Sequence, residues 1–183
     1  MSKEYNEPWD TAFLAGAVDV LSQRLDGIMD YPNNIAVDIF YVRDNNLSLL
    51  NDSVKERLKY YYRGNNGFFG DGDDEDWEKE IDALDFQLTE VEKDAHSFIC
   101  ETLGHYYCTS DKLSDEVKFF LEYMRRYLKE PLCIYQPASM PWKPGFVDIN
   151  SEILGHAYLY VGFEYFFISY KDHFVLFILG SVE

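Results

Sequence analysis

Residues 164–179 read EYFFISYKDHFVLFIL, and the reading of this stretch decides the fold. Aromatic and β-branched residues fill it, as they fill half-buried strands. Lys171-Asp172-His173 separates two such runs, 164–170 and 174–179, and supplies the turn of a hairpin. Successive strand side chains point to opposite faces. Tyr165, Phe167 and Ser169 therefore look one way, and Phe166, Ile168 and Tyr170 the other. Both faces are apolar, which predicts helices over at least one of them and a central place in the core. Just upstream, residues 156–162 read as a third strand, with Gly162 bending into the next. A membrane span is excluded because Glu164, Ser169, Lys171, Asp172 and His173 break the apolar run 158–179. A transmembrane helix needs roughly 20 nearly uninterrupted apolar residues.

Towards the N-terminus the period changes from two to 3.6. Leu14, Ala17, Val18, Leu21, Leu25 and Ile28 recur at helical spacing, with Ser22, Gln23 and Arg24 turned outward. Pro8 fits the first turn, where its missing N–H is not needed, and Pro32 ends the segment. Residues 35–42 are compatible with a short strand or a short buried helix capped by Asn34, and the helical neighbours favour helix. Asp52 or Ser53 is read as the cap of a helix through Val54, Leu58, Tyr61 and Tyr62, and residues 64–80 as a glycine-rich, then acidic, loop. Thr89 is read as capping a helix through Val91, Ala95, Phe98, Ile99, Thr102 and Tyr106. Ser114 is read as capping another, with Asp115 and Glu116 early, Arg125, Arg126 and Lys129 late, and Pro131 as its stop. Residues 137–145 hold three prolines and should be an extended connector. The expected architecture is α+β in a single domain, 1–183. In it, N-terminal helices (1–130) pack on a C-terminal antiparallel sheet of three or more strands (131–183).

Charge narrows the function. Acids number 33 against 16 basic residues, a formal charge of −17, while aromatics make up 17% of the chain. A disordered acidic segment would lack those aromatics. The combination implies a folded core under a negative surface, which repels nucleic acid and anionic membrane and attracts basic partners. Three cysteines without a C-x-x-C pair, and no basic leader followed by an apolar run, predict reduced thiols and a cytoplasmic setting.

Chemical motifs are scarce. An EF-hand loop counted from Asp71 places Asp73 and Glu75 correctly but has Asp76 where the turn needs glycine, and Asp82 at the twelfth position. His96, Cys100, Glu101, His105 and Cys108 crowd one segment, yet helical geometry puts His96 and Cys100 on one face and the others opposite. One zinc ion cannot be held from both sides. There is no G-x-S-x-G elbow, and the glycines at 64–72 lack the G-K-[ST] ending of a phosphate loop. Neither a metal, a cofactor nor a catalytic residue is expected. Tyr60-Tyr61-Tyr62 with Phe68-Phe69 suits core anchoring, and otherwise a protein-binding patch. Trp77, among carboxylates, either folds back on the body or anchors a basic partner.

Residues 156–183, HAYLYVGFEYFFISYKDHFVLFILGSVE, resemble the ending of small acidic bacterial immunity proteins of polymorphic-toxin and contact-dependent inhibition systems. There an aromatic hairpin closes with an aliphatic strand and a Gly-Ser-x-Glu-like tail. The resemblance covers under a sixth of the chain. It implies a non-enzymatic cytoplasmic protein that binds and blocks a cognate toxin domain. The charge is compatible with this, since nuclease toxins are basic where they hold phosphate. On that reading Asp71, Asp73, Asp74, Glu75, Asp76 and Glu78 steer a basic protein partner, such as a nuclease toxin domain, and Trp77 anchors it. The competing expectation is an oligomeric regulatory or structural module that self-associates and has no toxin partner.

Overall fold

The computed structural model describes residues 7–26, 33–64, 74–104, 110–128, 132–138, 154 and 162–181. Its elements run α1 (Glu7–Asp26), β1 (Asn33–Tyr41), a single 3₁₀ turn (Arg43–Asn45), α2 (Leu47–Gly64), α3 (Asp74–Asp82), β2 (Leu88–Glu90), α4 (Ala95–Gly104), α5 (Ser110–Leu128), β3 (Cys133–Pro137), β4 (Gly162–Tyr170) and β5 (His173–Ser181). The five strands form one antiparallel sheet in the order β1-β5-β4-β3-β2. The class is α+β.

The hairpin organises the sheet. Lys171 takes a φ of 48°, the left-handed conformation a tight hairpin turn uses, and Tyr170 pairs with His173 across it. Alternation then separates two cores. Phe166, Ile168, Tyr170, Val175, Phe177 and Leu179 face α1, α4 and α5. Tyr165, Phe167, Phe174, Leu176 and Ile178 face the other way, towards Leu50, Val54 and Leu58 of α2 and Ile81 of α3. Helices therefore cover both faces, in agreement with the two apolar faces of the hairpin sequence. Phe166 and Phe177 stack at 5.1 Å on the first face, and Phe167 meets Phe86 and Phe174 edge-on, at 6.0 and 6.4 Å, on the second.

Several local expectations are corrected. Residues 35–42 belong to strand β1 and not to a helix: Ile35, Val37 and Ile39 pack on the α1 side, while Asp38 and Phe40 face α2. Both sides of β1 carry apolar residues, which hides its period of two. Helix α2 begins at Leu47, because Asn46 Oδ1 accepts hydrogen bonds from the N–H (3.0 Å) and the hydroxyl (2.7 Å) of Ser48. Asp52 and Ser53 lie inside it, and Ser53 bonds back to the Leu49 carbonyl at 3.0 Å instead of capping. Residues 74–82 form helix α3 where a loop was expected. Thr89 sits in strand β2, and the true cap of α4 is Asp94, whose carboxylate accepts from Ser97 N–H at 3.0 Å. Ser114 is internal to α5.

Other expectations fall on residues outside those described: the strand at 156–161, the connector beyond Ala138, and Ile28, Tyr106, Lys129 and Pro131. Among the described residues no helix is long and apolar enough to cross a membrane.

Candidate functional site

Helix α2 distributes its side chains in rows of i, i+4. Leu50, Val54 and Leu58 point into the core. Asn51, Lys55, Lys59 and Arg63 face α3 and the segment after it. Asn51 Oδ1 accepts from Phe86 N–H at 2.9 Å, Lys55 donates to the Asp82 carbonyl at 2.8 Å, Lys59 pairs with the Asp82 carboxylate at 2.7 Å, and Arg63 pairs with Glu78 at 2.8 Å. These bonds raise the pKa of Lys59 and of Arg63, chiefly through the hydrogen bonds to Asp82 and Glu78. The third row, Asp52, Glu56 and Tyr60, faces solvent beside β1.

The predicted acidic site falls partly within this frame. Asp71 and Asp73 lie outside the described residues. Asp74, Glu75, Asp76 and Trp77 occupy the first turn of α3, and their side chains lie outside the description. Glu78 is half-exposed and holds Arg63. An ion pair on either side of α2 consumes one cation with each anion, so it leaves the acidic excess of the surface unchanged.

Between the third row of α2 and the end of β1 lies an open hollow of about 480 Å³ that sequence reasoning missed. Phe40 and Tyr41 come from β1; Asp52, Ser53, Glu56, Arg57 and Tyr60 come from α2. Tyr60 is 72% exposed and Tyr41 40% exposed. A buried polar group supports the hollow from beneath. Asp38, 7% exposed, accepts from Tyr61 Oη at 2.7 Å and from Ile39 N–H at 2.9 Å, and pairs with Arg57 at 3.2 Å. The Arg57 guanidinium lies 5.8 Å from the Phe40 ring centre and 6.0 Å from that of Tyr61. A buried carboxylate needs such partners, since an unpaired charge there would cost several kcal/mol. The tyrosine run thus divides its roles. Tyr61 serves the interior and Tyr60 the surface, as two adjacent helical positions must when they point about 100° apart.

Burial, and then the hydrogen bond to Asp38, raise the Tyr61 phenol above its ordinary value of 10.0. Above pH 10 the unfolded chain releases this proton while the native state retains it, so stability falls as pH rises through the folded value. Tyr61→Phe should show a shallower decline above pH 10 in denaturant titrations, and an unchanged slope would mean that folding does not raise the Tyr61 phenol.

The remaining reactive cluster is structural in its geometry. His96 Nε2 lies 3.2 Å from the Ser114 carbonyl, 3.3 Å from its hydroxyl and 3.6 Å from Cys100 Sγ, joining α4 to α5. The i, i+4 pairing of His96 and Cys100 is as the helix predicts. Burial pushes the Cys100 thiol up, the reverse of what an activated nucleophile requires. Glu101 turns to Lys93 instead, while His105 and Cys108 lie outside the described residues. Among the described residues no group of three or more His, Cys, Asp or Glu is placed to hold a metal ion.

The hollow sets the exposed Tyr60 ring beside the carboxylates of Asp52 and Glu56 in an open, water-facing setting. That chemistry suits a cationic group. Comparison with known protein families, with curated proteins and with solved structures finds no match to this chain.

Proposed function

We propose that this protein is an acidic binding protein that occupies and blocks the basic surface of a partner protein, as an immunity or inhibitor protein does for a toxin domain. One observation carries the reading. Lys59 and Arg63 of α2 pair with acids of α3, and Arg57 pairs with Asp38 of β1, whereas Asp52, Glu56 and the exposed Tyr60 turn outward together along one row of the helix. Carboxylates gather a cationic partner and set its rate of approach. Tyrosines supply contact area at low entropic cost and slow its departure. The acidic run at 71–78 adds to the negative charge that a basic partner meets. No chemical step belongs to this function, and it is exercised in the reducing cytoplasm, where Cys100 and Cys133 remain free thiols.

The test begins with capture of the partner on tagged protein at low salt from the cells that encode it. Binding kinetics then separate the two contributions. Asn at Asp73, Asp74 and Asp76 should lower the association rate about tenfold at low salt and alter dissociation little. Tyr60→Ser should raise the dissociation rate about tenfold instead. An acidic partner, or unchanged rates in both variants, would overturn the proposal.

A further inference from the structure

Among the described strands β1 is an edge of the sheet, and the hairpin register fixes the direction of its backbone groups. The two-residue turn Lys171-Asp172 is flanked by Tyr170 and His173, the hydrogen-bonded pair that closes such a hairpin. His173 therefore directs its N–H and C=O to β4, and Phe174, Leu176 and Ile178 direct theirs to β1. The register sets these three opposite Phe40, Asp38 and Ala36. The alternate residues Ile35, Val37 and Ile39 must then turn their N–H and C=O outward.

Two bonds agree with that parity. Val42 N–H, in phase with Phe40, donates back to the Asp172 carbonyl at 2.6 Å. Ile39, in the opposite phase, uses its N–H on the Asp38 carboxylate and its C=O on Arg57, both away from β5. Ile39 is thus capped. Ile35 and Val37 present outward N–H and C=O groups for which the described residues supply no partner. Ile35, Ala36 and Val37 are half-buried, whereas their partners Leu179, Ile178 and Phe177 are buried.

We infer that this edge, open among the described residues, takes up an extended, lysine- or arginine-bearing segment of the partner protein as a further, antiparallel strand, with its basic side chains on the side of the hollow at Tyr60. The inference rests on the basic-partner reading above and gives it a docking mode. Charge selects the occupant. A second copy would bring another −17 to an edge already bordered by Asp52 and Glu56. A cationic segment meets complementary charge there, because Asp38 already neutralises Arg57. Geometry selects the residues. In antiparallel pairing, residues facing one another across strands share a face. Incoming residues bonded to Ile35 and Val37 point to the α1 side, and those between them point to the α2 side, where the hollow lies.

The full-length protein can be tested with an acetylated nonapeptide of alternating lysine and valine, its glutamate counterpart as control. Binding of the lysine peptide should slow amide exchange at Ile35 and Val37 at least tenfold. N-methylation of the valines should weaken binding at least tenfold, while N-methylation of the lysines is tolerated. Val37→Pro should weaken it similarly, since proline removes an outward N–H without breaking a bond to β5. The methylated peptides keep the test intact should that variant fold poorly. Equal binding of both methylated peptides, with unchanged exchange at Ile35 and Val37, would overturn strand addition and leave the basic-partner reading standing. Failure of the lysine peptide to bind, with the protein instead dimerising through Val37, would overturn both.

Discussion

Phe167→Ala should lower the unfolding free energy by about 3–5 kcal/mol, the cost of an aromatic cavity in a packed core. Phe167 has no exposed surface and lies in the middle of the long hairpin strand β4. Its ring meets Phe86 at 6.0 Å, Tyr165 at 6.3 Å and Phe174 at 6.4 Å. Removing it strips partners from strands β4 and β5 and from the segment between α3 and β2 at once. Domains are stable by only about 5–15 kcal/mol in total, so this one side chain accounts for a large share of such a margin. Urea titration should move the midpoint without changing the slope. Tyr60→Ala, at a 72% exposed position, should change stability by less than about 0.5 kcal/mol and serves as the reference. A loss below about 1 kcal/mol at Phe167 would mean that the α2–α3 layer is not packed on the sheet as described.

Arg57→Met should cost about 2 kcal/mol by a different mechanism. The methionine keeps much of the packing on Phe40 but leaves the Asp38 carboxylate, 7% exposed, without its counter-charge. The cost stays below that of a fully buried pair because the Arg57 side chain is itself 40% exposed. Adding Asp38→Asn to Arg57→Met should recover at least half of the loss, since the amide still accepts from Tyr61 and no longer carries charge. Strictly additive losses in the double variant would show that the two side chains do not act as a pair. Because the pair lies under the hollow, Arg57→Met should also loosen the position of Tyr60 one turn away.

What the sequence revealed divides along a physical line. The hairpin was legible because its turn and its alternation are local: residues 164–179 carry their own register. Helix α1 was legible for the same reason, with Leu14, Ala17, Val18 and Leu25 buried at the predicted spacing. Strand β1 was not, because burial on both sides replaces the polar–apolar contrast that marks a strand. Helix α3 was hidden by its acids, which read as a solvated loop. Its stability comes from Lys59 and Arg63, which lie 15 or more residues earlier in the chain, and from the buried Ile81. The hollow was invisible for a related reason. Tyr60 and Glu56 were in plain view, but only the pairing of β1 with β5 brings Phe40 and Tyr41 to them.

The association rate measured against ionic strength tests most directly whether a negative, tyrosine-bearing face draws in a basic partner, as proposed. With the captured partner, the rate should fall at least tenfold from about 10 mM to about 150 mM salt as the Debye length shrinks from roughly 30 to 8 Å. In a variant carrying Asp52→Asn and Glu56→Gln the fall should be shallower and start from a lower rate. A rate that does not respond to salt, equal in wild type and variant, would overturn the proposal and leave the charge of −17 without a role in recognition.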